Sequence, residues 1–321
     1  MAYEKSTYTG LNDALDKLRI FIAARSGWVV DSFADDSTVY AGNVWTGKRL
    51  HVHQGSNYFN FRTARNQQIF QGTSIQTLGI GMNGSRGYSG AATWDYQTGA
   101  ILNASSQSTG GHCNAMLEGG GIYYFFSDAN DKAITAIFES AYPNVYTKMT
   151  FGTLSNGWQF YASNDRNTTL AYLFTHVTSS LQTTCNFSKA TWNPSTAIWT
   201  LGQDSSSGSA PASTNAMISP LCTVATTDGQ IRSAKNTVQY SPNTITGNPV
   251  FSPCHFWWYN NSSNYQYLGY VPDMFLTSMR YYDNGQEITM PNLDVYVVFN
   301  NNYTDTSLGG KGAGIAIKKV T

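Results

Sequence analysis

One segment alone carries apolar residues at helical spacing. Leu11, Ala14, Leu15, Leu18, Phe21 and Ile22 fall on one stripe, with Asp13, Asp16, Lys17 and Arg19 opposite. Thr9 is placed to cap this helix and Gly27 to stop it. A stripe of this width has to dock on something, and from Trp28 onward the remaining signal is strand-like. In "YFNFRTA", Phe59 and Phe61 alternate with Tyr58, Asn60 and Arg62, the period of a half-buried strand. Aromatic or β-branched runs such as "KRLHVH", "HFWWYN", "YQYLGYV", "DVYVVFN" and "GAGIAIKKV" are separated by Gly-, Asn- and Ser-rich turns. The chain therefore reads as mainly β, with antiparallel, sandwich-like sheets and one amphipathic N-terminal helix docked on them.

The signal divides the chain into a helix segment at 1–27, a β domain or half at 28–155, and a second at 156–321. The second contains a loop-rich region over 160–250, including a Ser-rich stretch at 203–214. One large domain over the whole chain fits the pattern equally. No fixed-period repeat is present.

Charge excludes several function classes. Lys+Arg and Asp+Glu balance at 19 each, and charged residues are 12% of the chain, about half the usual share. No basic face points to nucleic acid. No run of about 18 apolar residues points to a membrane span. The N-terminus lacks a basic region followed by an apolar one, so no signal peptide is expected. The expected site of synthesis is a cytoplasm, where Cys113, Cys185, Cys222 and Cys254 are free, mostly buried thiols by default. Disulfides among these four stay open if the protein later meets an oxidising exterior.

"IYYFFSDANDKAITAIFE" (122–139) spaces Asp128, Asn130 and Glu139 as a calcium loop would. Lys132 and Ala133 stand where such a loop needs an oxygen ligand and a glycine, and both flanks are strand-like. A β-hairpin is predicted instead, with "SDANDK" as its turn. His51 and His53 lie two apart on a strand and could offer a metal two ligands. No third ligand is identifiable, and they are expected to form the polar face of a strand whose apolar face is Leu50 and Val52. His112–Cys113 and Cys254–His255 are read as ordinary packing, because neighbours on a strand point opposite ways. No cofactor is expected. Hydrolase and nucleotide-loop signatures are absent: "NGSRG" lacks the first glycine of a nucleophile elbow, and "GGKGAG" lacks the hydroxyl residue after the lysine. No enzymatic activity is expected.

The aromatic surplus concentrates in "HFWWYNNSSNYQYLGY" (255–270). Trp257, Trp258, Tyr259, Tyr265 and Tyr267 are candidates for a subunit interface or a glycan contact, with sheet core as the plainer role.

Several segments resemble virion structural proteins of tailed bacteriophages, of the tail, baseplate or neck. They are "GKRLHVHQGSNYFNFRTA" (47–64), "GIYYFFSDANDKAITAIFES" (121–140) with "VYTKMTFGTL" (145–154), and "EITMPNLDVYVVFN" (287–300) with "GAGIAIKKV" (312–320). The resemblance covers about two thirds of the chain in patches, and 160–250 adds nothing to it. It implies a subunit that assembles in the virion with copies of itself and other virion proteins, without turnover. It supplies no catalytic residue. A receptor- or carbohydrate-binding tail-tip module that meets host surface glycan is the alternative, a head decoration protein another, and a glycan hydrolase a third.

Overall fold

The computed structural model describes residues 2–40, 43–68, 76–94, 97–98, 112–115, 119–139, 146–157, 159–164, 169–174, 190–193, 198–201, 215–218, 249–260, 264–279, 281–300 and 313–320. In chain order the elements are β1 (Tyr3–Tyr8), α1 (Leu11–Ala23), β2 (Trp28–Tyr40), β3 (Asn43–Gln54), β4 (Asn57–Gln68), β5 (Gln76–Ser85) and β6 (His112–Ala115). There follow β7 (Gly121–Ser127), β8 (Ala133–Glu139), β9 (Tyr146–Thr153), β10 (Gln159–Asn164), β11 (Thr169–Phe174), β12 (Ala190–Asn193) and β13 (Ile198–Leu201). The last are β14 (Asn215–Ile218), β15 (Ser252–Asn260), β16 (Asn264–Ser278), β17 (Gln286–Thr289), β18 (Val295–Asn300) and β19 (Ala313–Lys318). The mainly β, antiparallel fold, with one helix among the described residues, is as the sequence predicts. Five of these strands, β10 to β14, lie in the region read as loop-rich.

Three sheets carry the fold. An N-terminal sheet runs β2-β3-β4-β5-β6, a central sheet β1-β7-β8-β9-β10-β11, and a C-terminal sheet β14-β15-β16-β19-β18-β17. Among the described residues β12 and β13 pair only with each other.

The alternation along β7 shows why the central sheet is a middle layer. The Phe125 ring lies 5.4 Å from Phe21 of the helix, with Tyr123 stacked beside it at 4.3 Å. Tyr124 and Phe126, pointing the other way, meet Phe299 of β18 at 5.0 and 6.3 Å. On β9, Phe151 meets Trp28, Phe59 and Phe61 of the N-terminal sheet, while Tyr146 meets Phe299. Strands covered on both faces read as continuous apolar runs, which is what "IYYFF" and "AITAIF" are. The resulting core joins residues from Tyr8 to Ile317 and crosses residue 155 without a break. A second cluster, with Val298, Ala316 and Tyr296 at its centre, lies on the far face of the C-terminal sheet.

The helix buries the whole predicted stripe. Its start differs from expectation. Gly10 occupies the cap position without a side-chain bond, and the Thr9 hydroxyl donates to Asp13 Oδ2 (3.1 Å), which also accepts the Thr9 N–H (2.8 Å). Thr9 sits one residue too early to cap, so the first-turn carboxylate reaches back instead. At the other end Ala24 closes the last turn. Gly27, at φ 75°, then directs the chain into β2.

Candidate functional site

Three places gather polar or exposed aromatic chemistry. The first is the outer face of the N-terminal sheet. The register sets His51 opposite Asn60, His53 opposite Tyr58 and Arg49 opposite Arg62. Leu50 and Val52 point into the core, as predicted. His51 lies on the polar face opposite them, and that face is covered: His51 is buried and Tyr88 lies over it, ring centroids 4.9 Å apart. The segment after β5 folds back across the sheet and covers this polar row, a step that strand alternation does not report.

The covered row is satisfied by a directed chain of hydrogen bonds. Ser85 donates to the Gly87 carbonyl (3.0 Å), an atom that can only accept. Ser85 Oγ therefore accepts from Asn60 Nδ2 (2.9 Å), and Asn60 Oδ1 accepts from His51 Nδ1–H (2.8 Å). This order places the His51 proton on Nδ1 and leaves Nε2 as the basic nitrogen. Burial lowers the His51 pKa below the usual imidazole value and outweighs the bond to Asn60, so the ring is neutral. His53 is taken by Asp31, with Nδ1 2.9 Å from each carboxylate oxygen.

The edge strand β2 carries two further aspartates matched to cations, Asp35 to Lys48 and Asp36 to Arg62 (2.6 Å). Three matched aspartates on one edge strand discourage edge-to-edge pairing along it. Among the described residues no group of three or more His, Cys, Asp and Glu side chains is placed to hold a metal.

The second place is the β15–β16 hairpin. Its backbone pairs Trp257 with Tyr267, Trp258 with Gln266 and Tyr259 with Tyr265. The side chains of Trp257, Trp258, Tyr259 and Tyr265 lie outside the described residues. Tyr267 and Tyr270 are 36% and 41% exposed. Between them His255 places Nδ1 2.9 Å from the Tyr267 hydroxyl, with its ring 5.5 Å from Tyr267 and 6.0 Å from Tyr270. Tyr270 and His255 were not singled out as site residues from sequence. Register shifts in β16, with Gly269 at φ 122°, bring them beside Tyr267.

Cys254, next to His255, is a free thiol in the core. Cys113 sits on β6, in a different sheet, and its side chain, with Cys185 and Cys222, lies outside the described residues. Burial pushes the Cys254 thiol far above its ordinary pKa. Iodoacetamide is expected to leave Cys254 unmodified in the native protein and to alkylate it fully in urea, read by peptide mass. Modification at equal rates in both states would contradict the burial.

The third place is the turn of the β7–β8 hairpin. Asp128, expected to bond its local backbone, accepts the N–H groups of Ala133 (2.6 Å) and Asn130 (3.0 Å). Its oxygens are therefore engaged by the chain itself rather than left for an ion. Asp131 reaches further. Its carboxylate accepts the Ser26 N–H (2.9 Å) and the Ser127 hydroxyl (2.7 Å), and its carbonyl accepts Trp28 Nε1 (2.6 Å) and Gln54 Nε2. On the opposite side Asp273 of β16 accepts the Ala129 N–H (2.8 Å). The turn is thus a clasp at which all three layers meet.

The N-terminal sheet also divides. β3 and β4 pair only as far as Arg49 and Arg62, while β2 and β3 continue together from Asp35–Lys48 to Tyr40–Asn43. At the point of division Thr63 Oγ1 accepts the Lys48 N–H (2.8 Å) and donates to Asn12 Oδ1 (2.6 Å), and Asn12 Nδ2 donates to the Thr46 carbonyl (3.0 Å). Side chains take over the backbone bonds that the diverging strands give up. Comparison with protein-family models finds no match, and comparison with curated protein sequences finds none.

Proposed function

We propose that the chain is a structural subunit of a tailed-phage virion, in its tail, baseplate or neck, and that it works as a homo-oligomer. The observation that carries this reading is the β2–β3 ribbon beyond the fork. It continues for six residue pairs with no third strand among the described residues. A lone two-stranded ribbon is marginal in water, and its sequence holds Val39, Tyr40, Val44 and Trp45. A neighbouring subunit would offer these residues a surface to pack against, and the three-layer core would hold the ribbon's base fixed. The matched charges along β2 fit assembly through ribbon faces rather than open edges. Electron microscopy of purified particles tests the reading: the subunit is expected in symmetric copies with residues 37–45 against a neighbour. Its absence from purified particles would refute it.

A second reading, a carbohydrate-binding module at the tail tip, is favoured by His255, Tyr267 and Tyr270. Exposed rings flanking a hydrogen-bonding imidazole suit the apolar face and hydroxyls of a sugar. Substituting both tyrosines by alanine is then expected to abolish adsorption to host glycan while particle yield holds. Unchanged adsorption would remove this reading and leave the first standing.

A further inference from the structure

We propose that Lys148 is a proton-operated latch between the central and C-terminal sheets, and that protonation of its amine loosens the packing of the C-terminal sheet. Lys148 lies on β9 with Ile137 and Asn164 as its cross-strand neighbours. Alternation places it on the side of Tyr146, which meets Phe299 of β18, and opposite to Phe151. It therefore belongs to the face that the C-terminal sheet covers. Its side chain is buried, and among the described residues Nζ has no hydrogen-bond partner. An ammonium in such a place is strongly disfavoured, because nothing replaces its lost hydration. A methionine or leucine would fill the volume without that penalty, so the amine is the part that calls for a role.

The described titratable groups on that face are Tyr3 and Lys5 on β1, Tyr124 on β7, Glu139 on β8 and Tyr146 on β9, with Cys254 of β15 in the same core and Asp128 and Asp273 at the turn end. Burial raises Tyr124, Tyr146 and Cys254, so none of these three ionises near neutrality. Burial alone lowers Lys148 to about 7. Below that value both folded and unfolded chains hold the proton, and the folded state bears the full burden of the buried charge. As pH rises from about 7 towards the ordinary lysine value, the folded chain sheds a proton that the unfolded chain keeps, so stability rises.

The test compares the full chain with Lys148→Met in urea unfolding across this window. The wild-type folding equilibrium constant is expected to gain about tenfold per pH unit relative to the variant. In mild acid, amide exchange in β18 and β19 is expected to speed up in the wild type alone. Parallel pH profiles for the two proteins would overturn the proposal. If the variant does not fold, the Lys148 amine is followed in the wild type by ¹⁵N resonance. A midpoint near neutrality supports the latch, and an amine that stays charged through pH 9 refutes it.

Discussion

Phe151→Ala is expected to lower the unfolding free energy by about 3–5 kcal/mol. The ring is fully buried and sits within 5.6 Å of Trp28, 5.3 Å of Phe59 and 5.0 Å of Phe61. It is the aromatic centre of the packing between the central sheet and the N-terminal one. Those three partners are themselves anchored on β2 and β4, so the space left behind has little freedom to close, and the cavity adds to the lost transfer free energy. Urea unfolding measures the effect as a lower midpoint. Leu293→Ala is the control: Leu293 is 80% exposed in a turn and should move stability by less than about 0.5 kcal/mol. Equal effects at the two positions would mean that Phe151 is not central to the packing between the layers.

Gly152→Ala, one residue along, is expected to be at least as damaging for a different reason. Gly152 has φ 138°, and a Cβ there would stand 2.2 Å from the Lys132 carbonyl oxygen and 2.7 Å from Ala133 Cα. Both obstacles are backbone. The Lys132 carbonyl is also fixed by the Thr153 N–H at 2.9 Å. No side-chain rotation relieves the clash, so β8 must move away from β9 or β9 must leave its conformation. A loss above about 4 kcal/mol follows, seen as failure to recover soluble protein or as a steep fall in Tm. Gly157→Ala separates crowding from conformation. That glycine also has a positive φ, at 87°, but open space where a Cβ would go, and it should lose only about 1 kcal/mol. Similar losses at both positions would exclude the steric account.

Local features were legible in the sequence, and features of layering were not. The helix stripe and the 121–139 hairpin depend on spacing within a dozen residues, and both appear where the periodicity places them. β1 escaped notice because "YEKSTY" has no alternation: it is an exposed edge strand whose partner, β7, lies more than a hundred residues away. The burial of His51 was hidden because strand alternation reports a polar face but not the segment that folds over it. The burial of Lys148 was hidden for the same reason, since "TKMTF" shows where the lysine falls on the strand but not the layer that covers it. Only the presence of layers on both sides of β9 turns that position into a buried charge problem. The roles of Asp131 and Asp273 were hidden for want of range. An Asp-rich turn announces its own geometry, but not the loops and strands that will come to rest against it.

The clasp at the β7–β8 turn has a consequence for the order in which the chain is made. Ser26, Trp28 and Gln54 precede the turn, so its first set of partners is waiting when residue 131 leaves the ribosome. Asp273 is not, and neither is Phe299. Until the last strands are synthesised, Tyr124, Phe126 and Tyr146 line a finished sheet whose second face is bare. For that interval the nascent chain resembles an open sandwich, prone to stick to its neighbours on the same message. Its safety during translation then depends on how quickly the C-terminal sheet arrives.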